Sequence, residues 1–254
     1  MPAFTSVDGL EIAYYEWGTG PGRPVVLHHG FSSGALHGWE RRGVVAALTG
    51  AGHRVVAIDA RGHGASAKPH DPARYGEEMM AGDLRRLLDI IAAPEADLVG
   101  YSMGAIVSLI LACRDPRIRA LVTGGVGAGV AELGGLDTRA IPGQAMADAL
   151  RAEDPATIGH PAAAAFRAFA DQVGGDRLAL AAQAEAVHAA AIPLHQITAR
   201  TLVIAGDKDP LAARPEVLAA AIPGAELAVL PGDHLSVPAS APFATALVDF
   251  LGAP

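Results

Sequence analysis

Asp97-Leu98-Val99-Gly100-Tyr101-Ser102-Met103-Gly104-Ala105 runs from a short apolar stretch into a serine fenced by two glycines, and Ile106-Val107-Ser108-Leu109-Ile110-Leu111-Ala112-Cys113 carries it onward as a near-continuous apolar segment. The pattern reads as strand, tight turn and buried helix. A side chain at either glycine of this G-x-S-x-G would collide with the neighbouring strand or helix, and the strained turn pushes the serine hydroxyl into the open. Ser102 would then stand at a helix N-terminus, where the peptide dipoles favour developing negative charge. This is the pattern of a nucleophile elbow.

A second match, Gly30-Phe31-Ser32-Ser33-Gly34, follows the strand-like run Pro24-Val25-Val26-Leu27-His28-His29. In so glycine-rich a chain the motif recurs by chance, so context has to separate the two serines. Ser33-Gly34-Ala35-Leu36-His37-Gly38 carries no helical pattern. Ser102 is therefore the candidate nucleophile, and Ser32 belongs to a loop.

The remaining chain bounds what surrounds this turn. With 254 residues it accommodates one large α/β domain or one domain with a modest insertion, and it buries a substantial core. The single cysteine, Cys113, lies within the apolar helix and reads as a small core hydrophobe, and no disulfide within the chain is possible. Met1-Pro2-Ala3-Phe4-Thr5-Ser6-Val7-Asp8 has neither a basic nor an apolar leader region, and no apolar run approaches membrane-spanning length, so a cytoplasmic protein without membrane contact is expected. A net charge of −8 with scattered basic residues offers no footprint for nucleic acid. A small, neutral or apolar ligand suits this surface better. Nothing here speaks to oligomeric state.

Apolar runs predict strands at Leu10–Tyr15, Val25–His28, Arg54–Ile58, Ala96–Gly100, Ile118–Thr123, Thr201–Ala205 and Glu226–Leu230, with Phe4–Ser6 as an edge strand. The first two are expected to be antiparallel, because Gly18-Thr19-Gly20-Pro21-Gly22 is too short for a crossover helix. Helical patterns at Trp39–Thr49, Tyr75–Ile91, Ser102–Cys113, Pro215–Ala221 and Pro238–Leu251 separate the others, as in a mostly parallel eight-stranded sheet flanked by helices. Between Gly129 and His195 the alternation stops, and Gln144–Arg151, Pro161–Val173 and Asp176–Ala190 read as alanine-rich helices. The expected organisation is a core of residues 1–128 and 197–254 interrupted by a small helical cap at 129–196. Such an insertion would emerge at the carboxyl ends of the strands, where ligands bind in open α/β sheets.

A serine nucleophile requires a base, an acid that orients the base, and donors for the oxyanion. Among ten histidines, His234 in Val229-Leu230-Pro231-Gly232-Asp233-His234 is best placed, in a loop directly after the last apolar strand. Leu202-Val203-Ile204-Ala205-Gly206-Asp207-Lys208-Asp209-Pro210 supplies two acids. Pro210 biases Asp209 to extended geometry at a loop tip, with Asp207 as the fallback and Asp233 read as solvated. The oxyanion donors are expected to be the backbone N–H groups of Met103 and of Phe31, the latter in His29-Gly30-Phe31. His28 and His29 point to opposite faces of a strand and have no carboxylate or cysteine at ligand spacing, so no metal is expected. Gly62-His63-Gly64-Ala65-Ser66-Ala67 satisfies the dinucleotide fingerprint, but Lys68-Pro69-His70-Asp71-Pro72 forbids the helix it needs. No cofactor is expected. Phe31, Trp39, Met146, Phe166 and Phe169, with Leu178, are candidate pocket residues.

Taken together, His29-Gly30-Phe31, Asp59-x-Arg61-Gly62-His63-Gly64-x-Ser66, Gly100-Tyr101-Ser102-Met103-Gly104, Gly206-x-x-Asp209 and the late His234 resemble the α/β-hydrolase fold superfamily, in particular its serine esterases and cofactor-free perhydrolases. The resemblance covers nearly the whole chain. It implies a Ser-Asp-His order of the triad, an acid three positions after the strand-ending glycine, hence Asp209, and a helical cap after the sixth strand. It also implies an acyl-enzyme rather than the alkyl-enzyme that dehalogenases and epoxide hydrolases of this fold form on an aspartate. The expected function is hydrolysis of a small, uncharged carboxylic ester or lactone through an acyl-enzyme on Ser102. C–C bond hydrolysis and peracid formation are alternatives within the same machinery, and a small-molecule receptor that retains the triad is an alternative outside it.

Overall fold

The computed structural model describes residues 1–252. Eight strands, β1 (Ala3–Thr5), β2 (Glu11–Trp17), β3 (Val25–His28), β4 (Val55–Ile58), β5 (Ala96–Tyr101), β6 (Ile118–Gly124), β7 (Arg200–Gly206) and β8 (Glu226–Leu230), form one sheet in the order β1-β2-β4-β3-β5-β6-β7-β8. From β4 to β8 every neighbouring pair is parallel, while β1 and β2 are antiparallel additions at one edge. The helices in chain order are α1 (Val44–Gly50), α2 (Glu77–Ile90), α3 (Met103–Ala112), α4 (Ala128–Leu133), α5 (Gly143–Arg151), α6 (Pro161–Gln172), α7 (Arg177–Glu185), α8 (Pro215–Ala221) and α9 (Ala241–Gly252).

The sheet is buried on both faces, and the two-residue period of a strand sends alternate side chains to opposite layers. Val26 belongs to the core layer of Leu84 on α2, Ile106 on α3 and Leu218 on α8, whereas Val25 and Leu27 belong to the opposite layer, with Leu48 on α1 and Leu247 on α9. The strandless excursion between β6 and β7 builds its own small core from Ala147, Leu150, Ala163, Ala170, Leu180 and Ala181 on α5, α6 and α7. Phe31 touches both this core and the main one.

β2 and β3 run antiparallel, as expected, but they are not neighbours: β4 stands between them, antiparallel to β2 and parallel to β3. The Gly18–Gly22 link therefore crosses a strand. Two expectations from the sequence are corrected. The helix expected over Trp39–Thr49 is broken: one wide turn at Leu36–Glu40 ends before Gly43, whose φ of 80° caps a separate α1. Gly43 supplies the left-handed turn that lets the chain change direction. The helix expected over Asp176–Ala190 stops at Glu185, and the N–H of His188 bonds to the Glu77 carboxylate at 2.7 Å instead of to a helical carbonyl. Among the described residues no helix is long and apolar enough to cross a membrane.

Candidate active site

Ser102 sits where β5 turns into α3, with φ 55° and ψ −119°, a left-handed conformation costly for a residue with a Cβ. The flanking glycines make the turn possible. A Cβ on Gly100 would lie 2.2 Å from Gly104 O, and one on Gly104 would lie 2.1 Å from His28 O. The Ser102 N–H donates to Gly124 O on β6 at 2.7 Å, which locks the strained residue to the sheet.

His234 and Asp209 reach the serine from the loops after β8 and β7. His234 Nδ1 stands 2.8 Å from Asp209 Oδ2, and its Nε2 stands 2.9 Å from Ser102 Oγ. With Nδ1–H donated to the carboxylate, Nε2 is the acceptor for the serine hydroxyl. The other Asp209 oxygen accepts from Leu211 N at 2.9 Å, and the side chain is shut off from water. Asp207 does not point to the histidine: it is exposed, and its carboxylate accepts from Gly232 N at 2.8 Å, tying down the loop that precedes His234. Asp233 is exposed too, and closes a local turn by accepting from Leu235 N and Ser236 N.

Two residues that sequence reasoning missed hold the histidine loop from below and beside. Tyr101 Oη donates to His234 O at 2.9 Å, and Arg42 Nη1 donates to Leu235 O at 2.8 Å. Neither has a sequence signature, since both act on backbone carbonyls brought in by the fold.

The loop after β3 lies against Ser102 so closely that a Cβ on Gly30 would approach Ser102 Cβ to 3.3 Å. The N–H groups of Phe31 and Met103 have no hydrogen-bond acceptor among the described residues. The loop is pinned by buried histidines: Ser32 N donates to His63 Nε2 at 3.1 Å, Ala60 N donates to His29 Nε2 at 3.0 Å, and His29 Nδ1 meets Gly30 O at 2.8 Å. Burial pushes His28, His29 and His63 below the usual histidine range, His28 to about 3, so they serve as neutral hydrogen-bonding groups. Ser32 is buried with its hydroxyl unpartnered among the described residues. The Gly62–Ala67 segment is a loop, fixed by Ser66 Oγ donating to Asp59 O and by the Asp59 carboxylate accepting from Ala35 N and Ala65 N. Among the described residues no group of three His, Cys, Asp or Glu side chains is arranged to hold a metal ion.

Two chambers open from Ser102, divided by Phe31 and Phe166. The one beside His234 is lined by Trp39, Arg42, Tyr101, Phe169 and Leu235. Trp39 is buried there with its indole N–H unpartnered among the described residues. The one behind Met103 is lined by Ile106, Leu136, Ile141, Met146 and Val187, together with Thr138, Glu77 and Gln183. Trp39, Met146, Phe166 and Phe169 thus lie where a ligand at Ser102 would meet them. Leu178 does not: it faces outward from α7, half-exposed, because its neighbours Ala179 and Leu180 take the inward positions. Glu77 and Gln183 were also missed, although each falls on the apolar stripe of its helix, Glu77 with Met80, Ala81 and Leu84, Gln183 with Ala179 and Leu180. A polar residue on such a stripe is the signal that was available.

Comparison with known proteins places this geometry in a wider setting. A family model described as alpha/beta hydrolase fold matches residues 23–190. Among solved structures the chain is similar to a hydrolase from Pseudomonas aeruginosa PA01, with 33% identity, a TM-score of 0.78 and coverage of 99% of this chain and 98% of that one. It is also similar to the enol-lactonase from Burkholderia xenovorans LB400, at 28% identity and a TM-score of 0.75, covering 99% and 100% of the two chains. A 2-hydroxy-6-oxo-2,4-heptadienoate hydrolase of Pseudomonas putida is 38% identical over 131 residues, 51% of this chain and 46% of the relative. The chain spans less than half the length of the curated relatives it matches, from 27% to 46% of each.

Proposed function

The chain belongs to the alpha/beta hydrolase fold family, and from that membership we propose that it is a serine hydrolase acting on a small, uncharged carboxylic ester or lactone. The observation that carries the reading is the hydrogen-bonded chain Asp209–His234–Ser102, at 2.8 and 2.9 Å, ending on a serine in a strained elbow. Ser102 Oγ attacks the acyl carbon as its proton passes to His234 Nε2, and Asp209 stabilises the imidazolium. The free N–H groups of Phe31 and Met103 receive the oxyanion. His234 returns the proton to the departing alkoxide, and water, activated by the same histidine, releases the acid. The α5–α7 excursion acts as the cap, presenting Phe166 and Met146 over the serine.

The likeness to an enol-lactonase over the full chain supports an acyl substrate. C–C bond hydrolysis is the second reading, favoured by the likeness to the heptadienoate hydrolase. Peracid formation would follow if peroxide replaced water at the acyl-enzyme. Initial rates on p-nitrophenyl esters from acetate to octanoate, for wild type and Ser102→Ala, test the proposal. Saturable turnover abolished by the substitution is the expected result, and absence of turnover across the series overturns it.

A further inference from the structure

The two chambers divide the substrate between them, and the division follows from where the proton must go. On the serine-hydrolase reading, His234 Nε2 delivers a proton to the leaving group, so the leaving group occupies the chamber that His234 lines. The chamber behind Met103 is lined by Ser102 but not by the histidine. It therefore takes the acyl chain.

Its walls beyond Ser102 suit an alkyl group except at the exposed Thr138 and at two buried residues. Glu77 and Gln183 are both 5% exposed, and both line this chamber. The Gln183 amide rests on Met103 Sδ, a weak acceptor, and its Oε1 is buried with no partner among the described residues. Turning the amide over sets its oxygen against the sulfur, which cannot donate, and leaves both atoms unmatched. Buried polar groups are ordinarily paired, so an unpaired one lining a ligand chamber marks a group that the ligand is to satisfy. Glu77 keeps one bond, from His188 N, and burial pushes its carboxyl up to about 7, so near neutral pH both its accepting and its donating forms are present. No Lys or Arg lines the chamber.

We propose that this chamber selects acyl groups bearing a hydroxyl on the chain, held by Gln183 with Glu77; the assignment rests on the serine-hydrolase reading above. A hydroxyl both donates and accepts, and so meets either orientation of the amide and either form of the carboxyl. A plain alkyl chain leaves Gln183 unmatched, and a carboxylate would face Glu77 with no lining cation to balance it.

The test compares p-nitrophenyl esters of straight-chain acids of four to eight carbons with their ω-hydroxy counterparts. The expected result is that at one or more chain lengths the hydroxy ester has the higher kcat/KM, by tenfold or more. In Gln183→Met, close in shape but without donor or acceptor, that ratio falls toward one. Equal rates for the paired esters at every length in the wild type overturn the inference, as does a Gln183→Met variant that lowers both members of the preferred pair alike. Calorimetric titration of Ser102→Ala protein with methyl hexanoate and methyl 6-hydroxyhexanoate reads recognition without catalysis. Hydrolysis without preference would remove this inference and leave the proposed function standing. Preferential binding of the hydroxy ester with no hydrolysis of any ester by wild type would overturn the hydrolase reading, and the acyl assignment with it.

Discussion

Tyr101 Oη donates a 2.9 Å hydrogen bond to the backbone carbonyl of His234, so the residue before Ser102 holds the loop that carries the imidazole. Its ring lies 5.3 Å from the imidazole, centroid to centroid, and is wedged edge-on against Phe243. Tyr101→Phe preserves both ring contacts and removes only the bond. We expect kcat to fall by three- to tenfold with KM unchanged, the effect of losing one neutral hydrogen bond worth about 1 kcal/mol. Steady-state kinetics on the preferred p-nitrophenyl ester read this, and an unchanged kcat would show that Arg42 and the Asp233 turn hold the loop without it.

The hydrogen-bonded chain at Ser102 predicts non-additive losses. Ser102→Ala and His234→Ala should each lower kcat on the order of 10⁵ to 10⁶-fold, and the double substitution little further, because the groups act as one unit. Asp209→Asn should cost less, about 10⁴-fold: Oδ1 is already committed to Leu211 N, so an amide would present its NH₂ to His234 and reverse the tautomer. Asp207→Asn keeps an oxygen for Gly232 N and should be nearly silent. A larger loss at Asp207 than at Asp209 would reassign the acid.

Local chemistry made much of this legible before the fold was known. The elbow could be read because Gly100 and Gly104 are demanded by contacts of 2.2 and 2.1 Å that any side chain would violate. The strands from β3 to β8 could be read because double burial makes them short apolar runs. Pairing was harder: nothing near Tyr15 or Gly18 encodes that β4 will stand between β2 and β3, since strand order is set by packing across the whole sheet. Tyr101, Arg42, Glu77 and Gln183 were passed over for a related reason. Their roles exist only against carbonyls and cavities supplied by distant segments.

Stability should depend on pH in two opposing ways. His28, His29 and His63 are held by burial below the ordinary value of 6.5, so the unfolded chain binds more protons as the pH falls. Their contribution is complete above about pH 6.5 and is lost on acidification toward the folded values. Glu77 works the other way. Its carboxyl is raised from 4.5 to about 7, so its contribution is complete below pH 4.5 and is lost as the pH rises through 7. Glu77→Gln should match wild type near pH 4.5 and exceed it at pH 8 by up to about 3 kcal/mol, the equivalent of that displacement. Urea unfolding at both pH values measures the difference. A gap that is the same at both would mean that Glu77 is charged throughout in the folded protein.

Arg167 fastens the helices that carry Phe166 over the serine. It is buried on α6, with Nη1 donating to Ala149 O at 2.8 Å and Ala152 O at 2.6 Å at the end of α5, and Nε donating to Asp171 at 2.9 Å. These are the carbonyls that a helix leaves unpaired at its C-terminus, and a cation is the favoured partner there. Arg167→Met keeps the length of the side chain, strips Ala149 O of this donor and leaves Ala152 O with the longer bond from Arg177 Nη1, at 3.3 Å, at a cost of about 1–3 kcal/mol. The loss should be local, because Ser102, Asp209 and His234 stand on the turns after β5, β7 and β8 and make no bond to α5 or α6. Amide hydrogen exchange should therefore accelerate over residues 143–172 and stay slow in the central strands. KM should rise severalfold as Phe166 loses its fixed position beside both chambers, with kcat nearly preserved. A collapse of kcat at constant KM would instead make the α5–α6 contact part of what aligns the reacting groups.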